Sequence, residues 1–144
     1  MKFIAFLLLL ALATPKWGTD FEAAKIEAKA SHKLILLNFS GSDWCAPCIA
    51  TRRDYFESDA FAAMAKDNLV LLNADFPRKK KNQLSEEQTR KNEALADLYN
   101  KNGDFPLTIL MTPEGKVLKS WKGKPVAAVA DWVKEVKAIC DSRK

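Results

Sequence analysis

Two apolar segments, each followed by polar residues, constrain the fold more than any other feature of the sequence. Residues 34–39 read LILLNF and residues 69–74 read LVLLNA, and each is broken only by an asparagine. Strands that are buried on both faces of a sheet have this pattern. The two segments therefore predict central strands of a sheet that is covered on both sides.

Helical patterns alternate with these strands. Asp20 is predicted to cap a first amphipathic helix, a second helix is predicted to begin at Cys45, and helical periodicity restarts at Ser58. Ser85, followed three residues later by Gln88, predicts a capping box for a helix that runs to about residue 100. The residues expected on the inner face of that helix are Ala94, Leu95, Leu98 and Tyr99.

The end of the chain adds two strands and a helix. Residues 107–111 are predicted to form a third long strand, residues 117–121 to pair with it as a hairpin, and residues 126–139 to form an amphipathic helix. This order predicts an α/β three-layer sandwich. Its central sheet is expected to be mostly parallel, with a C-terminal antiparallel hairpin and flanking helices.

The first 13 residues have the composition of a secretory signal. Lys2 precedes an apolar run over residues 3–12, and Ala11-Leu12-Ala13 supplies a small-x-small cleavage pattern. The run is shorter than the roughly 20 residues that span a bilayer. Cleavage is predicted after Ala13, which leaves residues 14–144 as one domain. An uncleaved membrane anchor and a buried core helix are the alternatives.

Size and charge exclude some functions. The 144 residues carry a formal charge of +5, without the basic stripe and interleaved aromatics that bind nucleic acid. A domain of this size buries about two-thirds of its unfolded-chain surface, so its three cysteines need not be structural staples.

Trp44-Cys45-Ala46-Pro47-Cys48 lies where a buried strand passes through a turn into a helix. Cys45 would lie at the helix N-terminus, where unpaired amides favour the thiolate that acts as a nucleophile. Pro47 suits an early helical position and stiffens the loop. Cys48, one turn further on, could resolve a mixed disulfide formed at Cys45.

Three other interpretations of the pair remain. It could be a structural disulfide, although so short a loop constrains the unfolded chain little. It could be half of a zinc site, for which only Cys140 and His32 remain as further ligands. It could also be two small apolar residues packed in a helix.

The 44–48 motif resembles the active site of the thioredoxin superfamily, and the resemblance extends from about Trp17 to Cys140. The stretch FSGSDWCAPC resembles small exported bacterial thioredoxin-like proteins, related to periplasmic disulfide reductases, more than it resembles cytosolic thioredoxin. The resemblance implies that Pro106 is a cis-proline facing the disulfide. It also implies that the backbone of Phe105 pairs with an extended substrate. Trp44, because it is next to the first cysteine, is expected to cover one side of the site and limit solvent access.

Two positions depart from the family pattern. Asn38 stands where thioredoxins bury an acidic residue beneath the second cysteine, and an amide cannot accept a proton in its place. Ile49 replaces the lysine that usually follows the second cysteine. Asp43, in the turn before the motif, is interpreted as a helix-entry residue rather than a base.

The predicted function is that of an exported thiol–disulfide oxidoreductase that reduces or reshuffles disulfides in exported proteins. It would need no cofactor or metal besides the Cys45–Cys48 disulfide, would act as a monomer and would receive electrons from a membrane partner. It would be periplasmic in a Gram-negative bacterium and secreted otherwise. The alternative is a non-catalytic thioredoxin-fold module that binds partners, for example in the assembly of a haem or copper protein.

Three further features are expected to be structural. Residues 78–81 (RKKK) are interpreted as a solvated loop, Cys140 as a buried inert thiol, and His32 as a surface cap at the end of the first helix.

Overall fold

The computed structural model describes residues 14–144, so the predicted signal peptide lies outside the described residues. Within them, five strands form one sheet in the order β1-β3-β2-β4-β5. The strands are β1 (Trp17–Gly18), β2 (Leu34–Ser40), β3 (Leu69–Asp75), β4 (Leu107–Met111) and β5 (Val117–Lys122). The helices are α1 (Phe21–Ser31), α2 (Ala46–Thr51), α3 (Asp59–Asn68), α4 (Glu86–Tyr99) and α5 (Val129–Asp141). A π-helical turn at Arg52–Phe56 continues α2, and a 3-10 turn at Lys80–Asn82 precedes α4.

The α/β three-layer fold is confirmed, but the sheet is mixed rather than mostly parallel. β3 is parallel to both β1 and β2, whereas β4 is antiparallel to both β2 and β5. Ser40 at the end of β2 pairs with Asp75, where β3 ends, and the neighbouring Phe39 pairs with Leu107, where β4 begins. The connection through α4 therefore starts and finishes at the same end of the strands. As a result, β4 runs antiparallel to β2 and β3.

The two faces of the sheet bury different kinds of side chain. Successive residues of β2 point to opposite faces, so Leu34 and Leu36 contribute to one core and Ile35 and Leu37 to the other. The first core, beneath α3 and α5, is rich in aromatic rings centred on Trp132. The second, beneath α1 and α4, is mostly aliphatic. This division confirms that helices cover both faces.

The helix starts follow the sequence closely. The side chains of Asp20 and Ser58 each accept a hydrogen bond from an amide of the first turn that follows them. Ser85 Oγ accepts from the amide of Gln88 at 3.1 Å, as a capping box requires. The reciprocal bond, from the Ser85 amide to the Gln88 side-chain oxygen, is not found within residues 14–144; the Gln88 Nε2 donates to the carbonyl of Thr19 at 2.9 Å.

The inner face of α4 differs from the prediction. Leu98 is 66% exposed and Ala94 is also exposed, whereas Leu95 and Asn92 are buried. Asn92 can occupy this inward position because its Nδ2 donates to the carbonyl of Asp75 at 2.8 Å, so its amide is not left unpaired. The buried face of α4 is therefore rotated about the helix axis relative to the predicted one. It includes a polar residue, Asn92, that hydrophobic periodicity does not identify.

No helix within residues 14–144 is long and apolar enough to cross a membrane.

Candidate active site

Three connections meet at the edge of the sheet where β2 and β3 end and β4 begins. The turn after β2 leads into Cys45, the loop after β3 starts at Phe76, and Phe105–Pro106 immediately precedes β4. Groups from distant parts of the chain are thereby brought together around the start of α2.

Cys45 and Cys48 form a disulfide, with their Cα atoms 5.2 Å apart. Cys45 is the N-cap of α2, and its Sγ accepts a hydrogen bond from the Cys48 amide at 3.2 Å. The Gly41 amide donates to Cys48 Sγ at a longer 3.5 Å. The two cysteines are 5% and 3% exposed, so exposure does not separate their roles. The position of Cys45 at the helix N-terminus favours it as the thiolate.

The Trp44 indole lies against the turn and covers one side of the site. Its Nε1 donates to the carbonyl of Phe76 at 2.7 Å, and its ring meets that of Phe105 edge-on, with centroids 5.5 Å apart. A Cβ at Gly41 would overlap the indole, so this glycine is needed for the close approach of Trp44 to the turn.

The peptide bond between Phe105 and Pro106 is cis, as the family resemblance implies. Pro106 is buried, whereas Phe105 is half-buried and touches both Trp44 and Phe76. Within residues 14–144, neither the N–H nor the C=O of Phe105 has a hydrogen-bond partner. Its backbone is therefore available to an extended peptide.

Asn38 lies beneath the motif in an uncharged polar layer. It is 6% exposed, donates through Nδ2 to Asn73 Oδ1 at 3.1 Å, and accepts from Thr108 Oγ1 at 3.2 Å. Asn38, Asn73 and Cys48 line one cavity of about 340 Å³. Glu57 is the one carboxylate among the described residues that line it, and it is exposed and paired with Arg52 at 2.9 Å. The cavity thus has no buried acid.

The loop after β3 contributes residues that the sequence did not identify. The Arg78 guanidinium lies over the Trp44 ring, 3.6 Å from its centroid, so residue 78 is not simply part of a solvated loop. No sequence signal indicates this contact, because the two residues are 34 positions apart and belong to separate loops.

Asp43 is not the helix-entry residue that the sequence suggested. Its carboxylate accepts from the amides of Arg78 and Lys79, each at 2.9 Å, and from Asn82 Nδ2 at 2.9 Å. The bond from the Arg78 amide is the main reason that the pKa of the Asp43 carboxyl lies below its usual range. Asp43 therefore fastens the loop after β3 to the active-site turn.

The remaining predicted residues fall in varied places. Ile49 is 47% exposed and lines the cavity beside Cys48. Cys140 is buried in α5, and desolvation raises the pKa of its thiol to about 11, as suits an inert cysteine. His32 is exposed and ends α1 with a left-handed backbone. No group of three or more potential metal ligands occurs within residues 14–144, and neither Cys140 nor His32 joins the pair.

Comparison with known proteins gives consistent matches. Residues 16–113 match the thioredoxin-like family. The disulfide bond reductase DsbH of Chlamydia pneumoniae is 36% identical over 134 residues, which are 93% of this chain and 78% of that protein. The thioredoxin-related protein DsbJ of the same organism is 30% identical over 98 residues, which are 68% of this chain and 27% of that protein.

Solved structures agree. A DsbH oxidoreductase superposes with a TM-score of 0.80 at 34% identity, over 90% of this chain and 86% of that one. A thioredoxin from Thermus thermophilus superposes with a TM-score of 0.67 at 14% identity, over 89% and 88% of the two chains. The second match supports the fold alone.

Proposed function

We propose that this chain, which belongs to the thioredoxin-like family and is a thiol–disulfide oxidoreductase with a Cys45–Cys48 pair, reduces disulfide bonds in exported proteins. The observation that carries the proposal is the position of the pair. Cys45 caps α2, and the adjacent Trp44 contacts Phe105, whose backbone is unpaired within residues 14–144, in a chain that is 36% identical over 93% of its length to a disulfide bond reductase.

The proposed reaction transfers two electrons from the protein to its substrate. The Cys45 thiolate attacks one sulfur of the substrate disulfide, and the other substrate sulfur leaves as a thiolate and takes up a proton. The Cys48 thiolate then attacks Cys45 Sγ and releases the second substrate thiolate, which is also protonated. The substrate ends as a dithiol, and the protein ends with the Cys45–Cys48 disulfide found in this structure.

Substrate would lie along the side of the site formed by Trp44 and Phe105. The unpaired N–H and C=O of Phe105 support pairing with an extended peptide, which would bring the peptide next to the disulfide. Ala46 and Pro47 complete the active-site loop, with Pro47 in the first turn of α2. We infer that the pair itself carries the electrons, without a bound cofactor or metal.

The apolar run over residues 3–12 supports export of the protein, with removal of the signal by cleavage after Ala13. We therefore place its activity in the periplasm of a Gram-negative bacterium or outside the cell otherwise. An exported reductase is separated from cytosolic reductants, so a membrane partner would supply the electrons that return the disulfide to a dithiol. We propose that the protein acts as a monomer.

The experiment is reduction of insulin by the mature protein, residues 14–144, with dithiothreitol as the electron source. Wild type should accelerate the precipitation of insulin chains, and Cys45→Ser should lower the rate to that of dithiothreitol alone. Cys140→Ser is the matched control, because it removes the buried third thiol and should leave the rate unchanged. Wild-type protein that does not exceed the background, although folded, would refute the reductase proposal.

A further inference from the structure

The guanidinium of Arg78 is held beside the active site without an acidic partner. It lies 3.6 Å from the centroid of the Trp44 ring, and the residue is exposed. Within residues 14–144, the guanidinium donates no hydrogen bond and joins no ion pair. Stacking occupies one face of the group and leaves its N–H edge free. That edge has the geometry that binds a carboxylate through two parallel hydrogen bonds.

The backbone that carries Arg78 is fixed to the active-site turn. Asp43 binds the amides of Arg78 and Lys79, and Asp75 accepts from both the amide and the hydroxyl of Ser42. Trp44 is itself bonded to the carbonyl of Phe76. These contacts fix the loop, so little conformational entropy remains to be lost when a ligand binds Arg78.

The carboxylate nearest in sequence to the motif is already engaged. Asp43 accepts three hydrogen bonds, two of them from backbone amides, so it is not the missing partner of the guanidinium. Lys79, Lys80 and Lys81 follow Arg78, are all exposed, and form no ion pair with a described residue. The side-chain charges of residues 78–81 are therefore unpaired within the described residues, and they lie on the loop that Asp43 joins to the active-site turn.

We propose that residues 78–81, here called the cationic loop, bind an acidic segment of the substrate, with Arg78 taking a carboxylate close to the substrate cysteine. This inference rests on the proposed function and adds a substrate class to it. Arg78 and Phe105 contact the same Trp44 ring, so a peptide paired with the Phe105 backbone would pass within reach of the guanidinium. Arg78 determines specificity, and Lys79, Lys80 and Lys81 attract the acidic segment electrostatically.

The test uses three cyclic disulfide peptides that differ only in the residues flanking one cysteine: glutamate, glutamine or lysine. The rate constant for reduction by the reduced mature protein is measured by acid quenching and mass analysis. Each value is divided by the rate of the same peptide with dithiothreitol, which removes differences in intrinsic disulfide reactivity. The normalised ratio of the glutamate peptide to the glutamine peptide is the acidic preference.

Wild type should show an acidic preference of about five-fold at low ionic strength, which should approach one in 0.5 M salt. Arg78→Gln should lower the acidic preference by at least about two-fold. Arg78→Lys should have a preference between those of Arg78→Gln and wild type, because a lysine ammonium cannot bind a carboxylate through two parallel hydrogen bonds as a guanidinium does. Arg143→Gln, which removes an exposed arginine that forms no ion pair with a described residue, should leave the preference unchanged.

The lysines are tested separately. Replacing Lys79, Lys80 and Lys81 together by glutamine should weaken both the preference and its salt dependence. The matched control replaces Lys29, Lys66 and Lys134, which are exposed and outside the described ion pairs, and removes the same charge elsewhere.

The outcomes separate this inference from the proposed function. Equal normalised rates for all three peptides would leave the reductase function intact and overturn the acidic substrate class. Failure to reduce any peptide would overturn both. If preference is absent but the triple lysine variant loses binding to phosphatidylglycerol vesicles, the cationic loop is a membrane contact and the inference is wrong.

Discussion

The two sides of the Cys45–Cys48 disulfide differ in charge and in enclosure. On the Cys48 side, Asn38 and Asn73 form a neutral amide layer within a cavity. On the Cys45 side, the Trp44 ring contacts both the Phe105 ring and the guanidinium of the exposed Arg78. In the proposed reaction, the first side surrounds the resolving sulfur, and the second surrounds the proposed path of the substrate.

The proposed proton handling and the proposed substrate recognition therefore depend on separate parts of the chain. The amide layer comes from the interiors of β2 and β3 and from Thr108 in β4, whereas the recognition side comes from loops. Loops can change without altering the packing of the core. Substitutions on one side should therefore affect resolution, and substitutions on the other should affect the choice of substrate.

Removal of either sulfur should have the largest effect of the changes considered, because it abolishes disulfide reduction. The two single variants should differ in whether they accumulate a mixed disulfide. Cys48→Ser leaves the nucleophile but no resolving thiol, so it should accumulate a mixed disulfide with a substrate peptide. Cys45→Ser should accumulate almost none. Non-reducing mass analysis after mixing measures the adduct, and its loss on treatment with dithiothreitol identifies it. Equal trapping by both variants would show that the assigned roles of the sulfurs are wrong.

Asn38→Asp tests the Cys48 side. The new carboxylate would face Asn73 Oδ1 unless that amide turns, and it would be buried, so its pKa should be raised by desolvation. The penalty should be small at low pH and grow to about 1–3 kcal/mol as pH rises through the unfolded-state pKa toward the folded one. Once ionised, the carboxylate should speed resolution by accepting the Cys48 proton.

The measurements for this variant are urea unfolding across pH and stopped-flow resolution rates. Asn92→Asp is the matched control, because it also adds a buried carboxylate but lies away from the cavity beside Cys48. It should show the same kind of pH-dependent stability loss with no change in resolution. If Asn38→Asp changes stability without changing the resolution rate, Asn38 does not influence the proton of Cys48.

Gly41→Ala tests the Cys45 side. The added Cβ would overlap the Trp44 indole, so the ring should shift away from Phe76 and Arg78. The expected cost is about 1–3 kcal/mol in unfolding free energy, with altered tryptophan fluorescence and a reduced preference for acidic peptides. Gly18→Ala is the control, since its Cβ would meet only the Leu71 carbonyl, at an ordinary 3.6 Å. Equal losses of unfolding free energy in the two variants would contradict the close packing of Trp44 against Gly41.

Cys140 provides a reference thiol remote from both sides, and the expected effect is the smallest. Desolvation raises the pKa of its thiol to about 11 in the folded protein. As pH rises above about 9, the thiol should therefore ionise in the unfolded chain while it stays protonated in the folded one. The free energy of unfolding should then fall relative to that of Cys140→Ala, by roughly 1–2 kcal/mol between pH 8 and pH 11. Urea unfolding is measured with Cys45 and Cys48 replaced by serine, which prevents disulfide exchange. Parallel pH curves would contradict the raised pKa.

Local patterns were sufficient for much of the fold. The predicted strand at residues 107–111 is confirmed at both ends, and Asp20, Ser58 and Ser85 cap helices as expected. Each of these features depends on residues that are close in sequence. The cis bond before Pro106 was predicted only from the family resemblance, because base rates alone favour the trans form.

The errors share a physical cause, which is dependence on contacts between distant residues. The direction of β4 depends on the end of the sheet's strands to which the connection through α4 returns. Hydrophobic periodicity carries no information about which end that is. β1, at Trp17–Gly18, is too short to have a pattern and exists because it pairs with β3. Asn92 is buried because its side chain donates a hydrogen bond to the Asp75 carbonyl. That partner is 17 residues away, so a local pattern does not reveal it.

The sequence by itself determined the layers of the fold, the helix caps and the reactive pair, since apolar period, capping side chains and the Cys45–Cys48 spacing act over a few residues. Only the tertiary structure decided what surrounds the pair. It placed Asn73 against Asn38, Arg78 on Trp44 and Asp43 under the loop after β3. These contacts join residues 34 to 39 positions apart. Their geometry follows from the register of β2 and β3 and from the packing of two loops at the same end of these strands.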